Sequence, residues 1–407
     1  MTTSSRNAVR KGPATMNRSA PKRERSERLK LLSQTSSDTL MGRLLRKFWQ
    51  PVALSREIAN GAAKPLKIFG EELTLYRGSS GRAYLVGGRC AHRLTLLHTG
   101  WVEEEAVRCI YHGWKYDGTG QCVERPAEKD PVIPDIRIAG YPVHEYCGLI
   151  FAYLGEAPAP EFDLPRKDVF DNKEGVVVAR AEKWPCNWFQ QVENSMDATH
   201  VSFVHQKGAI GPFGAAVTPS IPELTYSETE AGIEQVATRA KNNVRKSDWT
   251  FPNNNHIITP GFRKSDPWTD IGIWMVPHDD EHTTRFILYG TSLTGEDAER
   301  FKRYFDEFGD YNPADHHDAL FFEDKYPADP YIQLASAQDY VSAVGQGAIV
   351  ASENEFLGNS DTGIVFLRRL FWRELEAIRT GRPTKPWRRR AAPAELPTQP
   401  GMLEGAI

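Results

Sequence analysis

Cys90-Ala91-His92 and Cys109-Ile110-Tyr111-His112 are the two short segments around which the sequence is organised. Sixteen residues separate them, and each segment supplies one thiol and one imidazole. Gly87-Gly88 precede the first segment and Gly113 follows the second, which predicts that both segments adjoin loops. The stretch therefore predicts a four-ligand metal site held by two loops of the chain.

The choice of ligands indicates which metal group the four residues bind. A [2Fe–2S] cluster of the Rieske kind takes two cysteines on one iron and two histidines on the other. A structural zinc site in a binding protein is the alternative, but zinc fingers place two cysteines on one segment and two histidines on the other. Because Cys90, His92, Cys109 and His112 are divided as one cysteine and one histidine per segment, the cluster is favoured.

Length and composition narrow the class of protein. The chain has 407 residues, which predicts two domains, each with its own core. It is 40% hydrophobic and 25% charged with a net charge of −3, which gives no indication of nucleic acid as a partner. No apolar run approaches the ~18 residues needed to span a membrane. Cys122, Cys147 and Cys186 show no disulfide spacing, so we expect a cytoplasmic protein in a reducing compartment.

Changes in composition along the chain predict a basic N-terminal tail followed by a folded domain. Residues 1–36 are basic and poor in apolar residues, which predicts a disordered tail, with a transit peptide or a start at Met16 as the alternative. Ser37-Asp38 is a signal for the start of a helix. Short β-prone runs then predict a small antiparallel β domain over 37–155, including a hairpin around Gly78–Gly81.

The second half of the chain predicts a different domain. The proline-rich segment 155–165 is the expected linker. Alternating runs between about 222 and 294 predict a sheet, and helices are expected near 296–308, after Gln333 and after Asp361. This α+β domain is assigned to 156–385, and 386–407 is expected to be a tail that wraps a surface or is disordered.

A second group of possible ligands follows Cys186 in a predicted helix. Asn194, Asp197 and His200 recur at steps of three, which places them on one helix face, and His205 follows. The two histidines are separated by about 140° on a regular helix, so they share a metal only if the helix widens or breaks between them. The alternative is one core histidine and one surface histidine.

Two histidines and one carboxylate form the ligand set of non-haem Fe(II) oxygenases. The candidates for the carboxylate are Asp339, Glu353, Glu355 and Asp361. Asp339 lies among small and apolar residues, where an unpaired carboxylate is costly, whereas helix capping explains Asp361. Asp339 is therefore favoured.

Taken together, these motifs resemble the oxygenase component of Rieske non-haem iron aromatic-ring hydroxylases, in particular the phthalate dioxygenase-like branch. The resemblance covers about residues 38–375. It rests on the two cluster segments, the helix carrying the two histidines, and a C-terminal block comprising Gln338-Asp339, Gly345-Gln346-Gly347 and the segment 355–361. The segment Ser352-Glu353-Asn354 departs from the family pattern, in which an arginine is common.

The resemblance implies a fold, cofactors and partners. It implies a β-sandwich-like Rieske domain, a helix-grip catalytic domain, a [2Fe–2S] cluster and a mononuclear Fe(II) bound by His200, His205 and Asp339. It implies a head-to-tail homotrimer without a β subunit, in which Asp197 joins His112 of one subunit to His200 of the next, with Asn194 beside the iron. A separate NADH-dependent reductase, reached directly or through a ferredoxin, would supply electrons, because the chain has no dinucleotide fingerprint.

The resemblance leaves the reaction open. Hydroxylation of an aromatic ring is the first interpretation, and oxidative N- or O-dealkylation of an alkylated aromatic xenobiotic is the second. A Rieske electron carrier is a more remote alternative, since it would end near residue 150. Arg263 and His256 lie on a predicted strand beside the pocket and are candidates for binding an anionic substrate, although surface charge and an ordinary core histidine explain them as well.

Overall fold

The computed structural model describes most of the chain, and the architecture below refers to that part. The described residues are 22–129, 135–164, 167–205, 220–239, 243–261, 263, 265–307, 331–350 and 354–388.

Three antiparallel sheets form the N-terminal half. Their orders are β1-β11-β10, β2-β3-β4-β9 and β5-β6-β7-β8. The strands are β1 Gln50–Leu54, β2 Ala63–Ile68, β3 Glu71–Arg77, β4 Ala83–Gly87, β5 Trp101–Glu103, β6 Ala106–Arg108, β7 Lys115–Asp117, β8 Cys122–Glu124, β9 Gly140–Tyr141, β10 Val143–Tyr146 and β11 Leu149–Ala152. The predicted hairpin around Gly78–Gly81 is confirmed as the turn between β3 and β4.

One seven-stranded antiparallel sheet, in the order β12-β18-β17-β16-β15-β14-β13, forms the C-terminal half. The strands are β12 Val176–Trp184, β13 Glu223–Glu228, β14 Gly232–Arg239, β15 Asn243–Thr250, β16 Asn254–Thr259, β17 Thr269–Pro277 and β18 Thr283–Thr291. The interior strands β17 and β18 are buried along nearly their whole length. Burial on both faces explains why β17 is a continuous apolar run in the sequence rather than an alternating one.

Helices precede the first sheet and pack on the last one. They are α1 Lys22–Ser33, α2 Leu40–Leu45, α3 Asp168–Asp171, α4 Trp188–Ser195, α5 Val201–Val204, α6 Gly295–Glu307, α7 Tyr331–Val344 and α8 Thr362–Arg379. The helices predicted near 296–308, after Gln333 and after Asp361 are thus confirmed as α6, α7 and α8. Among the described residues no helix is both long enough and apolar enough to cross a membrane.

The hydrophobic cores do not follow the expected division into one core per domain. A single large core runs from Leu32 to Ile378 and includes both β1-β11-β10 and the seven-stranded sheet. Phe151 of β11, for example, packs edge-on against Trp274 of β17 at 5.6 Å between ring centroids. A separate, much smaller core lies around the cysteine–histidine segments and includes residues of both four-stranded sheets. The boundary at 155 stays a prediction.

The prediction of a disordered tail over 1–36 is wrong for residues 22–36. Residues 22–33 form α1, in which Leu32 is 1% exposed, and Thr35 donates its backbone N–H to Asp280 at 2.8 Å. The composition of this segment did not predict the helix, because a few tertiary contacts suffice to order it. One of these contacts is Arg28, which stacks over the ring of Trp372 at 4.2 Å. Residues 1–21 lie outside the described part.

The start of α2 also differs from the expectation. Thr39, rather than Ser37-Asp38, is the N-cap, and its hydroxyl accepts from the backbone N–H of Gly42. At the other end of the chain, Trp387 stacks on Phe251 with ring centroids 4.5 Å apart. Residues 386–388, the first residues of the predicted C-terminal tail, thus lie against the sheet. Residues 389–407 lie outside the described part.

Candidate metal centres and active site

Two tight loops bring the cysteine–histidine segments together. The first loop follows β4, where the Cys90 N–H donates to Thr95 and the Leu94 N–H donates back to Cys90. The second is the β6–β7 hairpin loop itself, closed by the Cys109 N–H donating to Trp114 O at 2.9 Å. Gly113 has a φ of +73°, a conformation that favours glycine.

The two cysteine side chains are buried, whereas the two histidine side chains lie nearer the surface. Cys90 and Cys109 are 1% and 2% exposed, whereas His92 and His112 lie at the surface end of the loops with ring centroids 4.5 Å apart. Burial raises the pKa of the Cys109 thiol, and backbone N–H groups of Tyr111 and His112 donate to its sulfur. The donor set fits a [2Fe–2S] group that takes two thiolates on its buried side and two imidazoles on its exposed side.

Two aromatic residues to which the sequence analysis gave no role, Trp114 and Tyr116, support these loops. Trp114 stacks on His92 with the rings 4.6 Å apart and 5° from parallel. The Tyr116 hydroxyl lies 3.3 Å from Cys90 Sγ and accepts from the Ala91 N–H at 3.1 Å. The signal was available, because Trp114 and Tyr116 alternate directly after the second segment and therefore share one face of extended chain.

The segment carrying Asn194, Asp197 and His200 is not one continuous helix, so the predicted shared helix face is wrong. Helix α4 ends at Ser195, and α5 begins only at Val201. The Asp197 carboxylate closes the intervening turn by accepting from the N–H groups of Thr199 at 2.8 Å and His200 at 3.2 Å. The break thus precedes His200, whereas the sequence had required it between the histidines.

His200 and His205 flank the short helix α5 and converge on Asp339 of α7. Asp339 Oδ1 lies 3.4 Å from His200 Nε2 and 3.4 Å from His205 Nε2. The three ligand atoms lie within 4.8 Å of one another. Asp339 Oδ1 is buried and accepts no hydrogen bond from the residues that the structure describes. A buried carboxylate oxygen facing two imidazole nitrogens fits a divalent iron held by two histidines and one carboxylate.

Neighbouring side chains orient the ligands. His205 Nδ1 lies 3.0 Å from Gln338 Oε1, which fixes the proton on Nδ1 and leaves the Nε2 lone pair free for a metal. Burial would raise the pKa of Asp339, but the two histidines hold it well below its usual range. Gln338 had been noted only as part of a motif, and its position directly before Asp339 was the signal for its role.

The remaining predicted residues lie close to His200. Asn194 Nδ2 is 3.5 Å from His200 Nε2. Asp197 Oδ2 is 3.9 Å from His200 Nδ1, which is longer than a hydrogen bond, and Nδ1 is buried with no partner among the described residues. Asp197 is therefore the nearest carboxylate to the ring nitrogen that faces away from Asp339.

The other carboxylate candidates have different roles. Glu355 forms a two-pronged ion pair with the buried Arg368, at 2.7 and 2.8 Å. Arg368 also pairs with Glu193 of α4, so it ties α8 to the helix that precedes His200. Asp361 accepts from the Gly358 N–H at 2.6 Å and leads into α8. Glu353 lies outside the described residues.

A cavity of ≈160 Å³ adjoins Asp339 and the two histidines. One wall comes from α4, α5, α7 and the turn between the first two, and the other comes from the inner face of the seven-stranded sheet. Arg263 and His256 do not line it; Arg263 is exposed, and His256 is buried against Asp270 at 2.7 Å. The described lining residues are Trp184, Gln191, Asn194, Ser195, Asp197, Ala198, His200, Val201, His205, Gln235, Arg239, Arg245, Ser247, Asn255, Ile257, Thr259, Ile271, Ile273, Met275, Arg285, Ile287, Tyr289, Ala335, Ser336 and Asp339.

Comparisons with known proteins identify a Rieske domain and related oxygenase subunits. Residues 48–143 match the Rieske [2Fe-2S] domain family. The 5,5'-dehydrodivanillate O-demethylase oxygenase subunit of Sphingobium sp. (strain NBRC 103272 / SYK-6) is 31% identical over 365 residues, covering 87% of this chain and 81% of that protein. Phenoxybenzoate dioxygenase subunit alpha of Ectopseudomonas oleovorans is 30% identical over 374 residues, covering 86% of this chain and 85% of that protein.

The fold agrees with these relatives. The terminal oxygenase of carbazole 1,9a-dioxygenase from Novosphingobium sp. KA1 superposes with a TM-score of 0.61 at 17% identity, over 86% of this chain and 96% of that one. The α+β architecture, with a Rieske domain followed by a sheet and helices, is thus that of a Rieske terminal oxygenase. The chain belongs to the family of oxygenase subunits of Rieske non-haem iron oxygenases. It is an enzyme whose cofactors are a Rieske [2Fe–2S] cluster and a mononuclear iron.

Proposed function

We propose that this chain is the terminal oxygenase that hydroxylates the ring of an aromatic compound, using O₂ and two electrons from a separate NADH-dependent reductase. The electrons arrive directly or through a ferredoxin. The observation that supports this most strongly is the convergence of His200 Nε2, His205 Nε2 and Asp339 Oδ1 beside a partly apolar cavity. The cavity gives an aromatic molecule a place next to the iron ligands.

The residue assignments form part of the proposal. Cys90, His92, Cys109 and His112 hold the cluster. His200, His205 and Asp339 hold the iron, with Asn194 beside His200. When bound, the two groups together supply the site of O₂ reduction and one stored electron each. Gln338 keeps the His205 proton on Nδ1, and Trp114 and Tyr116 hold the cluster loop in place.

Two reactions of the family share the same requirement for O₂, two electrons and two protons. Ring dioxygenation adds both oxygen atoms to an aromatic double bond and gives a cis-dihydrodiol. O-demethylation converts an aryl methyl ether to a phenol, formaldehyde and water. The second reaction is kept as an alternative because a relative 31% identical to this chain is named as an O-demethylase subunit.

The assembly that we propose is a head-to-tail homotrimer in the cytoplasm. The tips of the cluster loops are apolar and exposed: Leu94, Ile110 and Tyr111 are 63%, 56% and 54% exposed. Contact with a second copy would bury such a patch. In the trimer Asp197 would accept from His200 Nδ1 and from His112 of the neighbouring subunit, so that the cluster of one subunit serves the iron of the next.

A single-turnover reaction under ¹⁸O₂ tests the proposal. The reduced, iron-loaded protein would be mixed with aromatic acids and with N- or O-alkylated aromatics, and the products would be read by mass spectrometry. A diol with two labelled atoms supports ring dioxygenation, and a phenol with released formaldehyde supports demethylation. Asp339→Ala is the matched control, which should form neither product. Labelled product from that variant, or none from the unmodified protein with any compound, would contradict the proposal.

A further inference from the structure

The distance between Asp197 and His200 is set by the turn that joins α4 to α5. Within this turn the Asp197 carboxylate accepts from the N–H groups of Thr199 and His200. Asp197 Oδ2 nevertheless stays 3.9 Å from His200 Nδ1, which is about 1 Å longer than a hydrogen bond. A small displacement of the turn would therefore decide whether these two groups interact.

Two side chains of the sheet hold the carbonyl group of Met196, the residue directly before Asp197. Tyr226 Oη donates to Met196 O at 2.9 Å, and Gln235 Nε2 donates to the same oxygen at 2.9 Å. Tyr226 and Gln235 are direct partners across strands β13 and β14, so both side chains leave the same face of the sheet. Met196 is 1% exposed, which shields the two hydrogen bonds from water. The two donors form a clamp on the Met196 carbonyl.

Helix α8 closes the other side of this carbonyl group. A Cβ atom at Gly363, in the first turn of α8, would lie 2.4 Å from Met196 O and 2.5 Å from the Tyr226 ring, so glycine permits the close approach. Arg368 of the same helix pairs with Glu193, whose backbone oxygen accepts from the Met196 N–H at 3.0 Å. The sheet and α8 thus hold the last turn of α4 from two sides.

Tyr226 differs from Gln235 because it is not among the described residues that line the cavity. Burial raises the pKa of Tyr226, and the carboxylates of Asp197 and Asp361 add to this effect, although the hydrogen bond with Gln235 opposes it. The hydroxyl therefore stays protonated and donates to the backbone. Its route to the reaction is the turn that it holds.

We infer that Tyr226, together with Gln235, is a positioning residue that sets the Asp197 carboxylate against His200 Nδ1 by holding the Met196 carbonyl. The inference rests on the proposed function, in which Asp197 joins the cluster of one subunit to the iron of the next. A misplacement of about 1 Å away from the reacting atoms can slow a reaction about 100-fold. Loss of one of the two donors should have a smaller effect of the same kind.

Stopped-flow absorbance tests this on the reduced, iron-loaded holoenzyme, because the cluster spectrum reports oxidation of the cluster. The protein would be mixed with O₂ and with the compound that gives the most labelled product under ¹⁸O₂. Tyr226→Phe removes the hydroxyl but keeps the ring beside Phe366. We expect cluster oxidation to slow about fivefold, the effect of one hydrogen bond, with KM and iron content unchanged. Tyr146→Phe makes the same change at a hydroxyl that donates to Asp171 and should leave the rate unchanged.

The Asp197→Asn background distinguishes positioning of Asp197 from a general structural role. If Tyr226 acts through Asp197, the double variant should be no slower than Asp197→Asn alone. A general structural defect would slow the reaction by the same factor in both backgrounds. Gln235→Leu removes the other donor and should reproduce these results, and it provides the test if Tyr226→Phe does not fold. Because Gln235 lines the cavity, its variant is compared at saturating substrate.

Hydrogen–deuterium exchange provides a second readout that needs no substrate. The N–H groups of Thr199 and His200 are held by the Asp197 carboxylate, so they should exchange faster in Tyr226→Phe, by about fivefold. Tyr146→Phe should not change their exchange.

The outcomes separate this inference from the proposed function. Unchanged exchange in the turn, an unchanged rate of cluster oxidation, or an equal effect with and without the Asp197 carboxylate would overturn the inference. Faster exchange in Tyr226→Phe without labelled product from any compound would support the clamp and contradict the oxygenase proposal. Labelled product with unchanged exchange would support the oxygenase proposal and contradict the clamp.

Discussion

The cluster site and the iron site are built in contrasting ways. The four cluster residues lie within one stretch, Cys90 to His112, on two loops whose small core consists of a few residues. The proposed iron ligands lie at the two ends of α5 and in α7, which are distant in sequence, and they are held beside the large core through α4. We therefore expect the site made of local loops to depend on its metal group for stability, and the site attached to the large core to depend on its metal much less.

Cys109→Ala should have the largest effect. Because the metal group closes two loops over a small core, its binding energy is part of the folding energy of this region. We expect loss of the visible cluster absorbance and of all turnover, together with a lower unfolding temperature measured by circular dichroism. Cys122→Ala is the matched control, since Cys122 is buried in the same core but is not an assigned ligand. Cluster absorbance that survives in Cys109→Ala would contradict the assignment.

His200→Ala should abolish turnover but leave the cluster spectrum intact. The large core that supports α4 does not include His200, so we expect an unfolding temperature near that of the unmodified protein and loss of the mononuclear iron by metal analysis. His256→Gln alters a buried histidine outside the cavity and should keep both metals. If the cluster spectrum disappeared in His200→Ala, the two sites would not be independent.

Asp197→Asn should impair the coupling between the two metal sites while leaving each site intact. Asparagine keeps an oxygen that can accept from the Thr199 N–H, so the turn before His200 should persist. Loss of the carboxylate facing His200 Nδ1 should reduce product formation about 100-fold, with both metals and the oligomeric state retained. Turnover, metal content and size-exclusion profile would be measured together. Near-normal turnover would contradict the bridging role.

Gln338→Leu should weaken the iron site without emptying it. The change removes the acceptor for His205 Nδ1, and outer partners of metal-bound histidines typically contribute 10–100-fold to affinity, so a loss of about that size is expected. Titration with Fe(II) under anaerobic conditions measures it. Gln338→Glu retains an acceptor oxygen and should restore most of the affinity, while equal loss in both variants would argue against the hydrogen bond.

Tyr116→Phe should produce the smallest change. The Tyr116 hydroxyl lies next to Cys90 Sγ, and a hydrogen bond to a thiolate favours the reduced, more negative cluster. If that hydrogen bond stabilises the reduced cluster by ~1 kcal/mol relative to the oxidised one, its loss should lower the reduction potential by about 40 mV. Protein-film voltammetry measures this shift. Tyr84→Phe, whose hydroxyl contacts Glu105 instead, should leave the potential unchanged. A shift of the same size in both variants would point to packing.

The two sites also differ in how far sequence predicts them. The cluster segments could be proposed from residue type and spacing alone, because a hairpin loop fixes the positions of residues only a few apart. At the iron site, Asp339 was favoured by its apolar surroundings, but the break before His200 was not predicted. That break depends on the Asp197 side chain capping a turn, which competes locally with continuation of the helix.

The sequence by itself determined the class of each half of the chain and the family, and it supplied the proposed ligand types of both centres. These properties depend on short spacings and on strong local preferences of the backbone. Only the tertiary structure decided which arginines face the cavity: Arg263 had been the candidate, and Arg239 lines the wall instead. Cavity lining follows from the pairing and register of seven strands, and these are set by packing across the whole sheet rather than by any one segment.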